Sequence, residues 1–384
     1  MKRLLVLLLA GLATGAFSQA ALTVTNLSCE RRSEPLGIDV AQPRLGWLLQ
    51  SSERGERQTA YEIMVATTRA LLDQNSGDVW TSGKVTGDAT IQIPFDGKPL
   101  RSSQQVFWKA RVWDAGGKVS TWSSPATWTM GLLAAADWQA KWIGAPTNSP
   151  SVLFRREFNV KPGLRRAVAH VCGLGHFEFF ANGNRVGSDL LAPGWSFYHK
   201  TSLYDTHDVT ALIRPGTNAV GLILGHGMYD IQGHRQRYVK FKQSFGPLKA
   251  IAQLQLDYAD GTTEIIGTDS TWQTALSPIT YDNVFAGEDF DARLVQKSWD
   301  QPAFKVTTNW SAATVTAGPG GTLKGLSCAA PPIRAIEVLQ PIATNVLRAN
   351  VTVYDLGQNA PIMPKLVVSG PAGSFVRIIP AELL

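Results

Sequence analysis

Only three cysteines, Cys29, Cys172 and Cys328, occur in 384 residues. They are odd in number, far apart and never in C-x-x-C spacing, so neither a disulfide framework nor a cysteine zinc site is indicated, and buried thiols are the plain reading. Charge is sparse at 17%. The formal net charge is +6; Lys2 and Arg3 supply two of these, which leaves +4 spread over the rest of the chain, a balance that does not call for nucleic acid. P-loop, HExxH and GxSxG elements are missing, so the enzyme classes built on them lack support. Beyond the run from Leu4 to Ala13 no stretch approaches the roughly 18 apolar residues of a membrane span, and no long amphipathic helical pattern is seen. That run follows Lys2-Arg3 and precedes the small residues Ser18 and Ala20. It reads as a secretory signal peptide over residues 1–20, which predicts an exported, periplasmic or extracellular protein.

What the chain has in quantity is Gly (35), Pro (21) and Trp (12), a mixture of turns and aromatic contacts that favours an all-β fold. Over residues 22–131 short apolar runs alternate with turn signals. Tyr61–Ala66 and Phe107–Trp113 read as strands, Asp114-Ala115-Gly116-Gly117 as a hairpin turn, and Trp47, Trp108 and Trp122 are available for a core. About seven such strands make a fibronectin type III-like sandwich. Residues 132–150 form a connector whose Trp138 and Trp142 are expected to pack between domains. Strand signals return over 151–293, with Asn182-Gly183 and Asp260-Gly261 as hairpin turns and Pro215-Gly216 leading into another strand. This predicts a jelly-roll-like β-sandwich. Residues 294–340, rich in Ala, Thr, Gly and Pro, read as an exposed linker traverse. Residues 341–384 begin a further β-sheet unit, with strands expected at Asn350–Tyr354, Lys365–Ser369 and Ser374–Ile379; three strands are too few for an independent core.

Chemistry-bearing residues are few. Glycoside hydrolysis needs two carboxylates flanking the bond. The tightest acidic cluster, Glu288, Asp289 and Asp291, is not an obvious opposed pair, because alternation along a strand puts Glu288 on the other face. It reads as a loop cluster pairing with Arg293 or as a sugar contact, and no residue is assigned as catalytic. Trp195, Phe197, Tyr198 and Tyr204 form an aromatic stretch beside Pro193-Gly194; each is either core or a ring that stacks on a sugar face. His226 reads as a loop histidine. Gly233–Lys242, GHRQRYVKFK, alternates cations and aromatics, which fits a charge-protected edge strand first and a strip for an anionic glycan second.

The run LAPGWSFYHKTSLYDTHDVTALIRPGTNAVGLILGHGMYD from Leu191 to Asp230 resembles the N-terminal, non-catalytic β-sandwich of bacterial α-L-rhamnosidases of glycoside hydrolase family 78. So do Arg155–Phe158, Gly173–Glu178, Asn182–Gly187, Gly287–Arg293 and Tyr354–Asn359. The sequence departs from the family at His226 and Met228, where the pattern has Asn and Trp. The resemblance implies a rhamnose-containing glycan as partner, with Asp189, Trp195, Tyr198, Tyr229 and Glu288 as carbohydrate-binding candidates. It also implies calcium as the cation such a module takes, with Asn182, Asp189, Glu288 and Asp291 as oxygen donors. The family's catalytic barrel follows the point where this sequence stops, so the expectation is an accessory half that binds rhamnosides or buttresses a separate or downstream barrel and is inactive alone. The rival reading is a stand-alone adhesion or structural module without sugar specificity.

Overall fold

The computed structural model describes residues 22–145, 150–325 and 331–379; the signal-peptide reading and Cys328 fall outside them. Nearly all regular structure is β. The chain divides into two compact units, residues 1–333 and 334–384.

The first sandwich is built from β1 (Leu22–Cys29), β2 (Arg44–Ser51), β3 (Ala60–Ala66), β4 (Trp80–Thr81), β5 (Val85–Thr86), β6 (Ile93–Pro94), β7 (Gln105–Trp113) and β8 (Ala126–Thr129), with one short helix, α1 (Arg69–Asp73). A three-stranded sheet in the order β1-β2-β6 faces a five-stranded one in which β4-β3-β7-β8 run in order and β5 also pairs with β3. Alternation in β7 buries Val106, Trp108, Ala110 and Val112, as a strand with one inward face requires. Trp47, Trp108 and Trp128 are fully buried there. Trp122, expected in the core, is half-buried: it packs against the small cluster of Met64, Ala66 and Leu72 and lies under the Arg111 guanidinium at 4.6 Å and the Lys109 ammonium at 4.9 Å, contacts that favour a ring partly open to solvent.

The second sandwich comprises β9 (Ile143–Gly144), β10 (Val152–Val160), β11 (Leu164–Leu174), β12 (His176–Ala181), β13 (Asn184–Arg185), β14 (Thr201–Asp208), β15 (Gly216–Gly225), β16 (Asp230–Ile231), β17 (Gln243–Ser244), β18 (Lys249–Tyr258), β19 (Thr263–Gly267), β20 (Gln273–Leu276), β21 (Ile279–Asn283), β22 (Gly287–Phe290), β23 (Ser311–Ala312), β24 (Thr314–Val315) and β25 (Thr322–Gly325). One sheet has the order β13-β12-β15-β10-β20-β23. The other runs β24-β9-β18-β11-β14-β25, with β19 also on β18. Between them lies a core that includes Phe154, Phe179, Leu222, Leu254 and Trp272. Asn182 and Gly183 take φ of 49° and 82°, the left-handed pair that a two-residue hairpin needs. Residues 294–325, expected as an exposed traverse with few strands, are largely exposed but also pair with both sheets. They lay β23 on one sheet and β24 and β25 on the other, and Trp299 and Trp310 pack with Leu153 and Ala275. Two-residue strands carry no sequence signal of their own; the edges they pair with define them.

The two sandwiches are joined by a buried polar contact. His170 of β11, fully buried, has Nε2 at 2.8 Å from Ser103 Oγ and Nδ1 at 3.0 Å from Thr206 Oγ1. Arg166 donates to the Ser103 carbonyl at 2.7 Å and to Thr129 Oγ1 at 3.0 Å. Trp138 of the connector closes the joint edge-on against Tyr204 at 5.3 Å.

In the second unit β26 (Ala343–Arg348) pairs antiparallel with β27 (Val351–Asp355). The strands expected at Lys365–Ser369 and Ser374–Ile379 do not form. Their apolar residues, Val367 and Phe375 among them, are exposed, and none of the described residues from 334 onward is buried. Alternation alone does not make a strand without a neighbour that bonds to it.

Candidate functional site

Strand register brings the candidate loops together. His176 opens β12 opposite Gly225, where β15 closes, and Leu174 at the end of β11 faces Lys249 at the start of β18. Val152 at the start of β10 faces both Leu224 and Leu276. The β13–β14 loop bearing Trp195, the segment after β15, the β16–β17 loop and the β21–β22 hairpin therefore all emerge at one end of the jelly roll. The turns there are tight. Gly175 has a φ of 124°, and a Cβ on it would collide with the Gly225 carbonyl oxygen, so only glycine lets β11 turn into β12 beneath His226.

His226 is the electrostatic centre of this end. Its backbone N–H donates to Asp282 Oδ1 at 2.8 Å, its Nδ1 lies 3.0 Å from Asp282 Oδ2, and its Nε2 lies 3.5 Å from Asp230 Oδ2. Burial pulls its pKa down, yet the hydrogen bond and charge of Asp282, with Asp230 beyond, carry it above the ordinary histidine value. Asp282 faces Glu288 across the hairpin. Burial, then the charges of Asp282 and Glu178, raise the Glu288 carboxyl. Asp289 is held by Arg237 at 2.6 Å and Asp291 by Arg293 at 2.6 Å.

The five predicted sugar contacts do not form one group. Trp195 and Phe197 project from their loop, 63% and 57% exposed, in a turn held by Ser196 Oγ donating to the Thr201 carbonyl. Glu288 lies on the neighbouring hairpin. Tyr198 and Tyr229 are walled in: their rings meet edge-on at 5.0 Å, both contact Phe245, and both are fully buried. Neither can offer a ring face to a ligand, because the core already covers both. Asp189 stands apart on the flank, where its charge acts on the buried Asp205 and half-buried His207 of β14. Gly233–Lys242 forms no edge strand. It is an irregular loop between β16 and β17, fastened to the β21–β22 hairpin by side chains, with Asn283 donating to the Gln232 carbonyl and Phe241 edge-on to Phe285.

Calcium does not fit the oxygen donors considered for it. Asn182 donates to Leu212 O and Asn218 Oδ1 and accepts from the Ala219 N–H, and it sits at the far end of β12, about 20 Å from His176 at ~3.3 Å per residue. Among the described residues no group of three or more His, Cys, Asp or Glu is arranged to hold a metal ion. Sequence reasoning missed Asp230, Asp282, His176 and Phe245. Asp282 was within reach, since Ile279–Phe290 with its central Gly287 has the pattern of a hairpin that sets residue 282 opposite 288.

Comparisons with known proteins bear on this arrangement. Residues 24–134 match the family described as the Rha78A-like, N-terminal immunoglobulin domain, a sandwich sharing its architecture with fibronectin type III. Residues 163–337 match the α-L-rhamnosidase N-terminal domain. An α-L-rhamnosidase of Formosa agariphila is 31% identical over 95% of this chain and 41% of its own length; one from Alteromonas is 31% identical over 91% of this chain and 39% of its own. The chain thus spans about two fifths of the length of these curated relatives. Among solved structures, the α-L-rhamnosidase of Dictyoglumus thermophilum superposes with a TM-score of 0.76 at 34% identity, over 88% of this chain and 38% of that one. That of Streptomyces avermitilis, complexed with L-rhamnose, gives 0.78 at 26%, over 88% and 49%. No helix among the described residues is long and apolar enough to cross a membrane.

Proposed function

We propose, from a chain that corresponds to the N-terminal region of the α-L-rhamnosidases of glycoside hydrolase family 78, that it is the non-catalytic part of an exported α-L-rhamnosidase and binds rhamnose-containing glycans. The binding element is the Trp195 loop at the end of the jelly roll. The observation that carries the reading is the pair of exposed rings, Trp195 and Phe197, at the same end of the jelly roll as the His226–Asp282–Glu288 group. An indole in water is costly unless it has a face to cover, and a deoxy sugar offers both a flat C–H face and a methyl group. Glu288, exposed at that end, supplies an acceptor for sugar hydroxyls. Hydrolysis of terminal α-L-rhamnosides then belongs to the whole enzyme, and this region delivers or positions the glycan for it.

Calorimetric titration with L-rhamnose tests the reading. Trp195→Ala is expected to lose about tenfold in affinity, the worth of roughly 1–2 kcal/mol for one stacking ring. Equal affinity in both proteins, or no heat in either, would leave the adhesion or buttressing role in its place.

A further inference from the structure

We propose that the Gly233–Lys242 loop extends the Trp195 site into a subsite for acidic sugars, so that rhamnose glycans bearing a carboxylate or sulfate beside the rhamnose are preferred. The inference rests on the sugar-binding reading above and names the class of glycan. Arg235, Lys240 and Lys242 are exposed, and none of them is among the ion pairs of the described residues. The loop that bears them is nonetheless fixed. Arg237 is held at 2.6 Å by Asp289 and lies 5.2 Å over the Tyr281 ring, against which His234 also packs at 4.9 Å.

The root of the loop adjoins the stacking rings. Phe245, one residue past β17, touches Phe197 at 6.1 Å and His199 at 5.0 Å, so the cationic loop and the Trp195 loop share one foundation. Tyr238, 72% exposed, adds a further ring among the cations. A nucleic acid fits less well. Asp289, paired with Arg237 of the same loop, interrupts its positive charge, so the field is short, suited to one or two anionic groups and opposed to a continuous polyphosphate.

The test is titration of the full chain with α-L-rhamnosyl-D-glucuronate, α-L-rhamnosyl-D-glucose and a sulfated methyl α-L-rhamnoside. The triple variant R235Q/K240Q/K242Q is run in parallel. At low salt the uronate or the sulfate should bind about fivefold tighter than the neutral disaccharide, as expected for one or two exposed ion pairs. The gap should close in about 0.5 M salt and in the triple variant, with neutral binding unchanged; the arm that shows the larger gap identifies the anion. Equal affinity for charged and neutral probes, or a gap that survives in the triple variant, overturns the subsite while leaving rhamnose binding intact. A short DNA duplex that competes as strongly as the charged sugars overturns the glycan assignment. Absence of any binding by the neutral disaccharide and by free L-rhamnose overturns the sugar-binding reading itself.

Discussion

Asp205 offers the sharpest quantitative test of the fold. It lies on β14 opposite Val171 of β11, is 2% exposed, and its Oδ1 has no hydrogen-bond partner. Burial, aided by the charge of Asp189 and opposed by Arg32, pushes its carboxyl up from 3.8 to about 7. Above that pH the group is ionised both folded and unfolded, and a rise of about 3 units at ~1.4 kcal/mol each corresponds to about 4 kcal/mol of stability forgone. The sign follows from proton uptake. Between about 7 and 3.8 the folded state holds a proton that the unfolded chain has lost, so stability is regained as pH falls through that window. Asp205→Asn removes the charge and keeps the shape. After about 1 kcal/mol for an imperfectly bonded amide, it should be more stable than wild type by about 3 kcal/mol at pH 8. The advantage should shrink by about 2.5 kcal/mol at pH 5, where the cost of the carboxyl has fallen to roughly 1.5. Urea denaturation of both proteins at both pH values, followed by tryptophan fluorescence and circular dichroism, measures this as a difference in which shared titrations cancel. A difference that does not change with pH, or a variant less stable at pH 8, would refute the account.

Three further outcomes are expected. Burial lowers His170 to about 3 and His207 to about 4, so their contribution is complete above the unfolded value of 6.5 and is lost as pH falls below it, by up to ~1.4 kcal/mol per pH unit for each; Asp205→Asn, which removes the opposing titration, should show this acid limb more steeply than wild type in a pH series of thermal melts. Gly175→Ala combines a φ of 124° with a collision at Gly225, and a loss of about 3 kcal/mol or more by urea denaturation is expected, against little change for Gly194→Ala, whose φ is not left-handed and whose added Cβ would meet only Leu203 Cδ1 at 3.6 Å. The chain alone should leave an aryl α-L-rhamnoside intact, because Asp282 is engaged by His226 and Asp289 and Asp291 by arginines; turnover that survives purification and vanishes in Glu288→Gln would instead place an active site in the jelly roll.

Much of the fold was legible in local sequence because local physics decides it. Alternation in Phe107–Trp113 marked β7, and Asn182-Gly183 marked a left-handed hairpin turn; the run from Leu191 to Asp230 carried the family resemblance, while its aromatics could equally have been core or exposed rings. What needed the tertiary structure were properties that depend on a partner distant in the chain. An apolar run at Lys365–Ser369 and a cation-aromatic alternation at Gly233–Lys242 look like strands, but a strand exists only where an edge is free to bond it, while the unpromising Ser311–Ala312 is a strand because β20 offers one. Tyr198 and Tyr229 were indistinguishable in sequence from Trp195, since all three are aromatics in turns. Packing into the cluster of Cys172, Leu174, Ile251 and Phe245 seals two of them in the core, while the third faces water. The poise of His226 likewise arises from Asp282, 56 residues away, and charge at that separation along the chain becomes charge at hydrogen-bonding distance only when two sheets close.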